Sequence, residues 1–118
     1  RLIPAVLPRR SGWRLETLEM LVPLIDAIEI FNARVIRARY NELAQEFAAK
    51  HNLPGTAGSD GHHPSEIGRA YLMIPDFNDA ESLRAAIRSA TTGGRISSPF
   101  VHLYSTRAKL IKALKPQA

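Results

Sequence analysis

Cysteine is absent from the 118 residues. That excludes disulfides, thiolate metal sites and cysteine nucleophiles, so any bound metal must draw on His, Asp, Glu or water. The same absence accords with a reducing, cytoplasmic setting. No run of about 18 uninterrupted apolar residues occurs, so no membrane span is expected. The nearest stretch, Leu15 to Phe31, is broken by Glu16, Glu19, Asp26 and Glu29. No charged-apolar-small signal pattern opens the chain. It begins with Arg1 rather than Met, which reads as a processed product or an excerpt of a longer protein. Aromatic residues make up only 7%, and none follows Tyr104 in the basic closing stretch. A stacking platform for single-stranded nucleic acid is therefore poorly supported.

An apolar content of 45% is enough to fill a core and excludes a wholly disordered chain. The length corresponds to one ordinary domain. The formal charge is +5, with much of the excess at the ends: Arg1, Arg9, Arg10 and Arg14, then Arg107, Lys109, Lys112 and Lys115. Such a surface favours anionic partners, nucleic acid among them, although a solvated terminal helix is the plainer account.

Residues 1–13, with Pro4, Pro8 and Gly12, read as an irregular lead-in. Helical spacing is expected over Arg14 to Leu21, and a β-branched strand over Ile25 to Phe31. Asn32 is placed to cap a helix running from Ala33 to His51, with Ile36, Tyr40, Leu43, Ala44, Phe47 and Ala48 on its apolar stripe. Arg34 and Arg37 would then occupy the first turns, where the helix dipole disfavours cations and a bound phosphate would compensate. Asn52 and Pro54 should end this helix. A second strand is expected over Leu53 to Ser59, a helical turn from Pro64, and a third strand over Tyr71 to Ile74. Asn78 and Glu81 suggest a capping box for a helix reaching Ala90, which Gly93 and Gly94 end. Residues 96–103 are ambiguous, and 105–115 read as a basic helix. The order strand, helix, strand, short helix, strand, helix predicts an α/β arrangement with parallel pairing. The organisation expected is a lead-in over 1–13, a main unit over 14–95 and an extension over 96–118.

Chemistry concentrates at Gly58-Ser59-Asp60-Gly61-His62. Alternate residues on extended backbone project to one side, so Asp60 and His62 could share a metal ion or bridge neighbouring ions. The segment follows an expected strand, and sites in α/β folds lie at the carboxyl ends of strands. Taken alone, Asp-x-His is better accounted for by a turn with a capping Asp and a surface His.

A longer match adds to this. Thr56-Ala57-Gly58-Ser59-Asp60-Gly61-His62-His63-Pro64-Ser65-Glu66-Ile67-Gly68 resembles the closing motif of the polymerase-and-histidinol-phosphatase (PHP) family, where Gly-Ser-Asp-Ala-His is followed by Glu-Ile-Gly. Ile25 to Arg34 resembles the family's strand-plus-Asn segment, and the resemblance covers residues 24–90. It implies the C-terminal portion of a distorted seven-stranded (βα) barrel, and a phosphoesterase using two or three divalent ions, zinc, manganese or iron, to hydrolyse phosphate esters. It implies that Asp60 and His62 are the last two metal ligands. Position 61 is Gly where the family more often has Ala. The family's amino-terminal His-x-His and its other His and Glu ligands are missing from this chain, which implies a fragment inactive by itself that works with the remaining N-terminal half. A partial barrel leaves open sheet edges, which implies pairing with that half or with a second copy.

Glu29 and Asn32, near the end of the first strand, could approach the same site, with an arginine partner for Glu29 as the plainer account. Arg34 is a candidate for phosphate and His63 for a supporting role. His51 and His102 read as structural, and Glu66 is accounted for by helix polarity alone. The competing functional class is a non-catalytic basic module that binds anions.

Overall fold

The computed structural model describes residues 2–4 and 14–98. Three strands make a parallel sheet in the order β1-β2-β3: β1 (Leu2–Pro4), β2 (Ala27–Asn32) and β3 (Gly55–Gly58). Helix α1 (Leu15–Leu21) lies between β1 and β2 in the chain, and helix α2 (Arg39–Lys50) carries it from β2 to β3. A second, two-stranded antiparallel sheet joins β4 (Ala70–Met73) to β5 (Thr91–Gly94), with α3 (Ala80–Arg88) between them in sequence. The fold is therefore mixed α/β with short parallel and antiparallel sheets. Among the described residues no helix is long and apolar enough to cross a membrane.

The core sits between α1, α2 and the parallel sheet. Leu18, Ile28, Ala44, Phe47 and Ala48 are buried together, with Val22, Ile30 and Leu53 packed against them. The α2 residues Ala44, Phe47 and Ala48 fall at the spacing that puts side chains on one helical face. The helix ends in a Schellman motif. Asn52 takes φ +52°, the Leu53 N–H donates to the Ala48 carbonyl at 2.9 Å, and the Asn52 N–H donates to the Ala49 carbonyl at 3.3 Å.

Several expectations need correction. The lead-in is not wholly irregular, since Leu2–Pro4 pairs in parallel with residues 27–29. Helix α2 begins at Arg39, not at Ala33, and Asn32 does not cap it. Asn32 instead accepts the Arg34 N–H on its side-chain oxygen at 2.8 Å, a local turn that competes with helix formation. Arg34 and Arg37 therefore precede the helix, and Ile36, expected on the apolar stripe, is 73% exposed. Helix α3 is capped by Asp79 and Ser82, which exchange hydrogen bonds in a capping box one position away from the expected pair. Gly93 and Gly94 do not end a helix but lie in β5, and the β4 pairing is antiparallel rather than a continuation of the parallel sheet. The expected basic helix over 105–115, and His102, lie outside the described residues.

One irregularity positions the site. The β2–β3 register shifts between Glu29 and Phe31, so that Glu29 pairs with Thr56 while Phe31 pairs with Ala57. Residues three apart on a regular strand point to opposite faces; one extra residue reverses that relation. Glu29 and Asn32 consequently face each other, with the Asn32 Nδ2 donating to Glu29 Oε1 at 2.9 Å.

Candidate functional site

The carboxyl ends of the adjacent parallel strands β2 and β3 bring together Glu29, Asn32, Asp60 and His62. The Asn32 side-chain amide bridges two carboxylates, donating to Glu29 Oε1 at 2.9 Å and to Asp60 Oδ2 at 3.5 Å. Asn32 is itself fixed. Its backbone N–H donates to Asn41 Oδ1 at 3.0 Å, and the Asn41 Nδ2 donates to its carbonyl at 3.1 Å. The end of β2 is thus stapled to the first turn of α2 by a buried amide.

Burial raises the Glu29 pKa; the Asn32 donor works against this, and the negative charge of Asp60 adds to the rise. Two carboxylates held this close repel each other, and a cation between them would relieve that repulsion. Gly58 makes the approach possible. A β-carbon there would stand 2.5 Å from Glu29 Oε2. Gly58→Ala is expected to displace the Glu29 carboxylate from Asn32 while costing only about 1 kcal/mol of stability, because the displaced atom ends a flexible side chain. A crystal structure of the variant, with its melting temperature, checks this; a Glu29 carboxylate still bonded to Asn32 would contradict it.

Asp60 adopts φ +47°, a left-handed conformation that Asp tolerates better than most residues. It turns the chain sharply out of β3, so Asp60 and His62 do not simply alternate along extended backbone. His62 Nδ1 lies 2.9 Å from the Asp60 carbonyl oxygen and 3.8 Å from Asp60 Oδ1. A carbonyl can only accept, so Nδ1 carries the proton and the lone pair sits on Nε2, across the ring. Both side chains are about half exposed, 47% for Asp60 and 53% for His62.

The residues fit a divalent metal in kind: carboxylates, an imidazole with its free nitrogen set by a backbone carbonyl, and a locally anionic pair. In number they fall short. Among the described residues no group of three or more His, Cys, Asp or Glu converges as a metal cluster. Glu29 meets Asp60 through Asn32, and His62 meets Asp60, but the three do not surround one point. Ser59, next to Asp60, exchanges hydrogen bonds with Ala70, accepting its N–H at 3.1 Å and donating to its carbonyl at 3.0 Å, which ties the end of β3 to the start of β4.

The remaining candidates lie as follows. His63 turns onto its own 3-10 turn (Pro64–Glu66), where Nδ1 accepts the Ser65 N–H at 3.3 Å and contacts the Ser65 hydroxyl at 2.9 Å. Arg34 is buried and its guanidinium pairs with Glu66 Oε1. Glu66 is 1% exposed, and its second oxygen accepts the His62 N–H at 3.0 Å. Helix polarity does not account for Glu66; it is a buried partner of Arg34. No local pattern marks it, because its partner stands 32 positions away. Asn41 likewise carries no local signal, since in one dimension it is a polar residue on a helix surface and its partner Asn32 stands nine positions away.

Residues 38–92 match the family described as PHP-associated. An uncharacterized protein of Methanocaldococcus jannaschii is 32% identical over 72 residues, covering 59% of this chain and 30% of that protein. The chain thus spans about 30% of the length of that relative.

Proposed function

We propose, from the match of residues 38–92 to the PHP-associated family, that the chain belongs to a metal-dependent phosphoesterase to which it contributes Asp60 and His62 as metal ligands. The observation that carries this reading is the chain of contacts from Glu29 through Asn32 to Asp60, with His62 beside Asp60, where two adjacent parallel strands end. The other ligands and the other strands of a (βα) barrel would come from outside these residues, as would the phosphate-ester substrate.

Each side chain has a distinct part. Asp60 supplies a carboxylate on a backbone turn that holds it out of β3. His62 supplies Nε2, with the ring oriented by its bond to the Asp60 carbonyl. Glu29 adds negative charge on the β2 side, and Asn32 holds the two carboxylates in place by donating to both. Asp60 and His62 would hold a zinc, manganese or iron ion, which would supply water of lowered pKa and neutralise phosphate charge. The competing reading, an anion-binding basic module, rests on the basic ends of the chain, and Arg1, Arg9, Arg10, Arg107, Lys109, Lys112 and Lys115 lie outside the described residues.

Elemental analysis of the full-length protein tests the reading. Asp60→Asn keeps a residue that tolerates the left-handed backbone and keeps an oxygen toward Asn32, but removes the charge. The wild type is expected to retain divalent metal through exhaustive dialysis and the variant to lose it. Equal metal content in the two would overturn the assignment. Salt-dependent nucleic-acid binding indifferent to Asp60 would favour the basic-module reading instead.

A further inference from the structure

The segment from Asp60 to Gly68 is mostly exposed, and Asp60, Gly61, His62, His63, Pro64 and Ser65 all face solvent. A surface loop of this kind would leave its side chains free to wander. One residue in it is different: Glu66 is 1% exposed and reaches inward. Its carboxylate is divided between two partners. One oxygen meets the Arg34 guanidinium, which is also buried; the other accepts the backbone N–H of His62 at 3.0 Å. Arg34 follows β2 directly, and the Asn32 side chain accepts its backbone N–H at 2.8 Å. A continuous path of charge-assisted and backbone bonds therefore runs from the amide that bridges Glu29 and Asp60, through Arg34 and Glu66, to the backbone of His62. The backbone of Gly61 packs close by, a β-carbon there standing 3.2 Å from Glu66 Cβ.

Resting on the assignment of Asp60 and His62 as ligands, we propose that Arg34 and Glu66 are positioning residues that fix the His62 backbone, and with it the imidazole, relative to Asp60. The chemistry needs both charges. A carboxylate offers an acceptor to each partner at once, whereas an amide has one oxygen and must forfeit either Arg34 or the His62 N–H. Arg34 keeps the buried carboxylate ionised, so that it stays an acceptor on both sides. Bonds that orient a ligand from behind in this way carry a large share of metal affinity.

The test uses the full-length protein with Mn2+ as the probe, titrated calorimetrically into the wild type, Glu66→Gln, Arg34→Lys and Asp60→Asn, each at a temperature where circular dichroism shows it folded. Amide hydrogen exchange at His62 is followed in the metal-free proteins. Glu66→Gln is expected to raise the Mn2+ Kd about 10–100-fold and to expose the His62 amide to exchange. Arg34→Lys, which keeps a cation beside the carboxylate, is expected to fall between this variant and the wild type. A residue that only stabilised the fold would lower the melting temperature and leave the Kd of the folded variant unmoved. If folded Glu66→Gln binds Mn2+ as tightly as the wild type while Asp60→Asn does not, the positioning role is overturned and the ligand assignment stands. If Asp60→Asn binds like the wild type, the ligand assignment fails, and the positioning role toward these ligands fails with it. His62 amide exchange then still reports whether Glu66 holds the loop. Should Glu66→Gln not fold, Arg34→Lys carries the same comparison, and an unchanged Kd there overturns the role.

Discussion

Arg34→Met is expected to destabilise the protein by about 3–5 kcal/mol, the cost of leaving a buried charge without its partner. Both members of the pair are buried, the side chains being 6% exposed at Arg34 and 1% at Glu66. Methionine fills much of the space of the arginine stem, so the loss is one of charge compensation more than of packing. Out of a typical stability of about 5–15 kcal/mol, this loss is a large part. Urea unfolding followed by circular dichroism measures it, and a variant within about 1 kcal/mol of the wild type would contradict the account.

The same pair sets a pH dependence. Burial alone would raise the Glu66 pKa, but the His62 N–H, the Arg34 guanidinium and the His63 N–H outweigh it and hold the carboxyl below its ordinary 4.5. A folded pKa below the unfolded one adds stability that is present above the unfolded value and is lost as pH falls through the folded one. The wild type should therefore hold the Glu66 contribution down to about pH 4.5 and lose it below. In Arg34→Met the desolvation of Glu66 is no longer offset by the guanidinium, so acid unfolding should begin at higher pH. Acid titrations of the two proteins, compared directly, show whether the midpoint moves upward.

Gly94→Ala is the second large effect, expected to cost about 3 kcal/mol or more through backbone strain and collision together. Gly94 has φ +138°, and a β-carbon there would stand 2.3 Å from the Arg69 carbonyl oxygen and 2.7 Å from Ala70 Cα. These are backbone atoms that pair β5 with β4, including the Arg95 N–H donating to the Arg69 carbonyl at 2.8 Å. They cannot yield as a side chain can. The loss should appear as faster amide exchange along residues 70–73 and 91–94, and normal protection there would refute it.

Legibility in the sequence followed the range of the interaction. The strand before Asn32, the body of α2, its end at Asn52, β3, the 3-10 turn at Pro64 and β4 all carry local signals, and all formed close to where those signals put them. Capping at Asp79 rather than Asn78 differs by one position in a run of residues that all cap well. The start of α2 was misplaced because Asn32 makes a turn instead of a cap, a choice decided by Asn41 on the other side of that turn. The bulge that turns Glu29 and Asn32 to the same side has no signature in alternation, since both residues simply read as polar positions. Tyr71 presses on Gly93, where a β-carbon would come within 2.5 Å of its ring, and this pairing of β4 with β5 was hidden because two adjacent glycines read as a stop. At the site, Asp60 and His62 were visible as residues. That Glu66 is a buried ion-pair partner depends on a contact across 32 positions.

The bond between Asn32 and Asp60 also spans 28 positions, and the helix that links β2 to β3 lies inside that interval. The two sides of the site therefore meet only after a long loop has closed and its entropy cost has been met. Neither strand end holds this arrangement by itself, so the site is a property of the native state. A ligand that needs both sides has no purchase on the unfolded chain. Its binding would therefore raise the stability of the whole fold in step with its free concentration, and the melting temperature would report its occupancy.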